Sequence, residues 1–177
     1  MSNKAEELHL RLFFALPLPV PIAEQIDRRC SSIDIQGQRV LPTNLHLTLA
    51  FLGAQPASLL SRIEQLAAGL SGATFELRLE QLACWPDGLL HLAPQPIPTA
   101  LLVLQQQLLS ALNDAGICCD PRPYEPHVTL ARHSQMPAQP TIGAIAWQVR
   151  EFALFASEQR HGGPHYRALQ HWPLIAA

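Results

Sequence analysis

Two spacings of apolar residues take turns along the chain. Phe75, Leu77 and Leu79 are separated by Glu76, Arg78 and Glu80, the two-residue repeat of a strand with one buried face. Leu59, Ile63, Leu66 and Leu70 recur every three or four residues behind Pro56, the stripe and starting proline of a helix over 56–70. By the same reasoning 9–18 is a strand stopped by Pro17 and Pro19, and 21–30 a helix with Ile22 and Ile26 on one face. Residues 44–53 form a strand ended by Gly53. The alternating segment 74–85 is a strand that turns at Asp87-Gly88 and returns over 87–94. The longest helical pattern covers 98–116, with Gly116 as its stop. A strand over 127–132, a loop over 134–143, a bulged strand over 144–158 and a glycine turn leading into a last strand within 160–174 complete the chain. Three helices among a majority of strands, with no linker between them, predict the α+β class and a single domain over 1–177.

Two of these strands break their apolar pattern in the same way. Residues 46–50 read HLTLA and residues 127–131 read HVTLA. Residues i and i+2 of a strand share a face, so His46 points with Thr48 and His127 with Thr129, while Leu47 and Leu49 point into a core. Each motif follows a helix and a proline-containing connection. Two interleaved lobes related by a pseudo-twofold axis would set the motifs side by side, their polar faces on one groove.

Such a groove would hold two imidazoles and two hydroxyls. Histidine's ordinary pKa of about 6.5 lets one ring act as base and another as acid near neutral pH. Threonine hydroxyls donate to phosphate oxygens without adding charge. One histidine in an apolar strand is ordinarily a satisfied core or edge residue; two in the same local frame point to a joint role. Zinc is the rival use of paired histidines, but it calls for a third or fourth ligand, and neither H-E-x-x-H nor clustered Cys/His spacing occurs. No metal is expected.

Composition narrows the partners. Of 177 residues 48% are hydrophobic and 15% charged, with a net charge of −2, so no global field draws the chain to nucleic acid or an anionic membrane. Eleven of the twelve basic residues are arginines and the other is Lys4; arginine suits forked phosphate contacts, and genome base composition produces the same bias. Cys30, Cys84, Cys118 and Cys119 form no C-x-x-C pair. Without a signal sequence or an apolar run near 18 residues, a reduced cytoplasmic protein is expected.

The segments HLTLAFLG and HVTLAR resemble the twin H-x-[ST]-x signatures of the 2H phosphoesterases, specifically the bacterial RNA 2',3'-cyclic phosphodiesterases, also called 2'-5' RNA ligases. RLFFALPLP, PYEPHVTLAR and YRALQHWPL extend the likeness over nearly the whole chain. The resemblance implies a bilobal fold with antiparallel sheets lining a central groove and helices outside. It implies hydrolysis of an RNA 2',3'-cyclic phosphate to the 2'-phosphate without metal or nucleotide cofactor. His46 would be the general acid and His127 the base. Thr48 and Thr129 would bind phosphate, joined by Arg132, and Phe51 would stack a nucleobase. The partners implied are RNA ends or short nucleotides, with no membrane and no obligate protein partner.

Strand parity objects to the last two residues. Phe51 has the parity of Leu47 and Leu49, and Arg132 that of Val128 and Leu130, so each reaches the groove only where its strand ends, twists or bulges. Phe51 is as readily a core residue. Arg132 belongs better in the site, because an unpaired buried arginine is costly. Tyr166 and Arg167 are candidates for outer substrate contacts, although the glycines of RHGGPHYR suit a plain hairpin. His9, His91, His133 and His171 read as surface or strand-edge residues, and Trp85, Trp147 and Trp172 as core or edge rather than a stacking array. Two other functions use the same groove: reversible 2'-5' joining of RNA ends, and end binding without chemistry.

Overall fold

The computed structural model describes residues 7–138, 141–161 and 163–176; Lys4, Gln139, Pro140 and Gly162 lie outside them. In chain order the elements are β1 (His9–Pro17), α1 (Val20–Cys30), β2 (Gln38–Arg39), β3 (His46–Pro56), α2 (Leu60–Ala68), β4 (Phe75–Cys84) and β5 (Leu90–Pro94). Then follow α3 (Thr99–Asp114), β6 (Val128–Arg132), β7 (Ile145–Val149), β8 (Glu151–Arg160) and β9 (Gly163–Pro173). The α+β class and the three helices stand as expected. Gly53 does not end its strand. It adopts a φ of 70° inside β3, whose pairing with β1 continues to His9↔Pro56. The helix expected from Pro56 therefore starts later, after a short 3-10 turn at Ala57–Leu59.

The strand expected over 144–158 is two strands. Ile145, Trp147 and Val149 are buried in β7 and Phe152, Leu154 and Ala156 in β8, with Arg150 exposed between them. The buried parity switches at Arg150 because the chain crosses there from one end of the sheet to the other.

The sheet runs β7-β4-β5-β6-β3-β1-β8-β9, with β2 beside β6, and every strand pair in it is antiparallel. Its centre is the contact of β3 with β6 at Leu47↔Val128. Outward from β3 lie β1, β8 and β9; outward from β6 lie β5, β4 and β7. One residue spans at most about 3.6 Å, so joining β7 to β8 through Arg150 alone forces the sheet to curl until its ends approach. A parallel bridge between Ala73 and Ile175 ties the same ends.

One face of the sheet is core. Leu47 and Leu49 pack in one cluster with Leu101, Leu104, Leu108 and Leu112 of α3, and Phe152 stacks on Trp172 at 5.3 Å. Trp147 and Trp172 are core residues as expected. The helices α2 and α3 pack together, α3 also against β3, and α1 against β7, where Arg29 donates to the carbonyls of Ile142 and Ala144. With this face covered, the other face of β3 and β6 is left for the polar motif residues.

Candidate active site

The two motif strands share an irregularity that alternation could not reveal. Against β1, Thr48 pairs with Ala15 and Ala50 with Phe14, leaving Leu49 unmatched. Against β5, Thr129 pairs with His91 and Ala131 with Leu90, leaving Leu130 unmatched. Each bulge falls three residues after its histidine and resets the parity of the residues that directly follow it; β3 is shifted once more at Leu52, beyond Phe51. Phe51 thereby joins His46 and Thr48 on the partly exposed face, while Leu47, Leu49, Ala50 and Leu52 are buried. Arg132 joins His127 and Thr129 in the same way. The parity objection to both residues is removed by one device used twice.

Antiparallel pairing at Leu47↔Val128 sets His46 beside Thr129 and Thr48 beside His127. Both imidazoles are held alike. His46 Nδ1 lies 2.7 Å from the Asn44 carbonyl, and His127 Nδ1 lies 2.7 Å from the Glu125 carbonyl. A carbonyl only accepts, so Nδ1 carries the proton and, in the neutral ring, Nε2 keeps its lone pair for the groove. The segments presenting these carbonyls are themselves anchored. Asn44 donates its side-chain amide to the Pro164 carbonyl at 2.8 Å. Tyr124 donates its hydroxyl to the Thr48 carbonyl at 3.3 Å, tying the approach to the second motif to the first.

Burial, partly offset by the Asn44 contact and reinforced by His127 and Arg132, pushes His46 down to about 4. Burial also lowers His127, with the Glu125 carbonyl opposing and His91 and Arg132 adding. Arg132 thus acts on both rings. It is exposed and makes no ion pair among the described residues. It is followed by a left-handed turn at His133 (φ 52°), and Gly37 packs so closely here that a Cβ there would collide with the Arg132 and His133 carbonyls.

The surroundings differ between the two histidines. Phe13 lies 4.9 Å from the His46 ring, and Tyr166 meets it edge-on at 5.0 Å. A cavity of about 390 Å³ adjoins His46, walled by Pro17, Leu18, Ala23, Asn44, Phe155 and Tyr166, large enough for a small ligand. His127 instead faces Trp85 at 4.6 Å and His91 at 5.2 Å.

The expected residues do not all meet. Tyr166 does reach the site. Arg167 does not: it pairs with Glu158 at 3.0 Å on the exposed hairpin joining β8 to β9. Phe51 faces the groove side with the Arg11 guanidinium 4.9 Å over its ring. His9 and His133 are exposed as expected; His171 is exposed but has a partner, Glu151 at 3.4 Å. His91 is a correction: it is 4% exposed and packed on His127. Trp85, expected as a core or edge residue, is half-buried just after β4 and packs on both of those rings. Leu90-His91-Leu92 repeats the bracket of Leu45-His46-Leu47, a signal that could have found His91. The same bracket encloses the exposed His9 at Leu8 and Leu10, so it does not discriminate. Among the described residues no group of three or more His, Cys, Asp or Glu is placed to hold a metal ion, and no helix is long and apolar enough to cross a membrane.

This arrangement is that of a recognised family. The family model of the 2'-5' RNA ligase superfamily matches residues 18–160. The RNA 2',3'-cyclic phosphodiesterase of Escherichia coli strain K12 is 34% identical over 169 residues, covering 93% of this chain and 96% of that protein. The protein of the same name from Thermus thermophilus is 30% identical over 93% of this chain and 90% of its own. The crystal structure of E. coli LigT complexed with 3'-AMP superposes with a TM-score of 0.84 at 32% identity, over 94% of this chain and 99% of that one. The chain belongs to the 2'-5' RNA ligase superfamily, in its bacterial 2H phosphoesterase branch.

Proposed function

We infer that the protein hydrolyses the 2',3'-cyclic phosphate of RNA ends or short nucleotides to a 2'-phosphate, as its relatives' names indicate for them. The observation that carries this reading is the pairing of two bulged H-x-T strands at Leu47↔Val128, each imidazole fixed through Nδ1 so that Nε2 serves one groove. His127 Nε2 accepts a proton from water as its oxygen attacks phosphorus. The P–O3' bond breaks in line, and the departing oxygen takes a proton from His46 Nε2. Thr48 and Thr129 hydroxyls donate to the non-bridging oxygens, and the Arg132 guanidinium offsets the charge that builds on them. Phe51 offers the base an aromatic face, and Tyr166 borders the outer part of the site.

Burial depresses both histidines, so both are neutral at pH 7. His46 acquires its proton as the anionic phosphate seats between the two rings, because a nearby negative charge favours the imidazolium. The reaction needs no metal or cofactor. We read residues 1–177 as one domain of two interleaved lobes, and the free cysteines of the structure support a reducing, cytoplasmic setting.

The test is turnover of a short RNA ending in a 2',3'-cyclic phosphate, in excess chelator, with the product isomers resolved. The wild type is expected to release a 2'-phosphate, and His46→Ala and His127→Ala each to lose at least about 10²-fold. Chelator-sensitive turnover, or full activity in either variant, sinks the mechanism.

A further inference from the structure

The chemistry proposed for the groove leaves one buried histidine without a task. His91 sits on β5 directly opposite Thr129, on the groove face, with its ring tilted 66° to that of His127. Trp85 lies 4.6 Å from both rings. His91 is 4% exposed. Its Nδ1 donates to the Leu89 carbonyl at 3.1 Å, the same tie to residue i−2 that fixes His46 and His127. Its Nε2 has no hydrogen-bond partner among the described residues, and none of their fully enclosed side-chain nitrogens or oxygens lacks one. The small accessible part of this ring therefore includes Nε2, which opens on the groove. The fold does not require an imidazole here: the matching position in the other half, opposite Thr48, is Ala15.

We propose that His91 holds the attacking water together with His127, and so favours water over an alcohol as the nucleophile. The inference rests on the cyclic-phosphodiesterase reading. With both Nδ1–H groups committed to carbonyls, two Nε2 acceptors face the same small space. A water molecule has two protons and satisfies both acceptors, which fixes its remaining lone pairs toward phosphorus. The proton on the His127 side transfers to His127 Nε2 as the new P–O bond forms. The other stays on the oxygen, hydrogen-bonded to His91, which neither gains nor loses a proton. The P–O3' bond breaks and O3' takes the proton of His46. The 5'-hydroxyl of a second RNA has one proton, which goes to His127; His91 is left unpaired, at the cost that burying an unsatisfied acceptor carries. His91 thereby sets hydrolysis above 2'-5' joining.

The experiment offers the enzyme a short RNA with a 2',3'-cyclic end and a second RNA with a free 5'-hydroxyl, and measures hydrolysed and joined products together. His91→Leu removes the acceptor and keeps an apolar filling; His91→Gln restores an acceptor. We expect His91→Leu to slow hydrolysis about 10-fold in kcat with KM within about 3-fold. Joining changes little, so the joined-to-hydrolysed ratio rises about 10-fold. His91→Gln returns most of the hydrolysis. Both products come from one enzyme population, so partial unfolding of a variant cancels from the ratio. An unchanged ratio in His91→Leu, or a Gln variant no better than the Leu variant, overturns the proposal. A wild type that leaves the cyclic end untouched removes the underlying reading instead.

Discussion

The half of the sheet that carries His46 and the half that carries His127 agree in their backbones and differ in their side chains. Both place a bulge three residues after the histidine, both bind Nδ1 to the carbonyl two residues earlier, and both bring the fifth residue after the histidine onto the groove face. Around this shared frame one half sets Ala15, Phe13 and Tyr166, and the other His91 and Trp85. In the proposed mechanism the shared part supplies what a phosphodiester displacement needs, one proton acceptor and one donor. The unshared part distinguishes the two sides, since a perfectly symmetric site could not assign leaving group and nucleophile to different ends.

The fifth positions offer the sharpest way to break this comparison. Arg132 carries charge where Phe51 carries only a ring, so their losses should fall on different constants. Arg132→Ala is expected to lower kcat/KM about 10²-fold, with much of the loss in kcat. Phe51→Ala should cost about 10-fold, nearly all in KM, as expected for a lost base stack. Equal losses in the same constant would show that the two positions do one job and that the bulges merely preserve shape.

Proton affinity separates the halves next. The free enzyme must hold one proton on a pair whose members both lie below 6.5, so kcat/KM should peak below pH 6.5. The kcat profile should sit at higher pH once the anionic substrate is bound. The same depression affects stability. Above pH 6.5 His46 is neutral folded or unfolded. As the pH falls toward 4, the unfolded chain takes up a proton that folded His46 refuses, so stability is lost over this window. Between pH 7 and about 4.5 the wild type should lose about 2 kcal/mol that His46→Leu keeps, measured by urea unfolding. His127→Leu should keep less. Equal savings would remove the electrostatic difference between the halves.

The smallest effect concerns the tie between them. Tyr124→Phe removes the 3.3 Å bond to the Thr48 carbonyl and should cost about 1 kcal/mol in the same urea experiment. No loss would mean that the pairing at Leu47↔Val128 and the apolar contacts hold the halves without it.

Much of this could be read in the chain because periodicity reports which face of an element is buried. The leucine stripe of α3, the alternation of β4 and the twin H-x-T motifs each announce themselves locally. Three features do not, for one reason: they are defined by a partner elsewhere. A bulge exists only relative to the register of the neighbouring strand, so Leu49 and Leu130 look like ordinary strand leucines. The break at Arg150 is visible only when β7 and β8 are seen to pair with β4 and β1. His91 acquires its place from β6, and nothing in its own segment distinguishes it from His9. Arg167 failed in the opposite sense: its segment is near the site, but Glu158 is nearer to its guanidinium.

The layout of the sheet bears on how the chain reaches this state. The strands of one half, β4 to β7, come from a single continuous stretch between Phe75 and Val149, interrupted by α3. The other half takes β1 and β3 from the beginning of the chain and β8 and β9 from its end. On the ribosome the His127 half can therefore close while the His46 half still waits for its last two strands. Until they arrive, β1 has no partner on its outer side, and the face later covered by Phe152 and Trp172 is bare. An unpaired edge of this kind invites association with other chains. The discontinuous half is the slow one, and the nascent protein is most exposed to aggregation after β7 has formed and before β8 and β9 have paired.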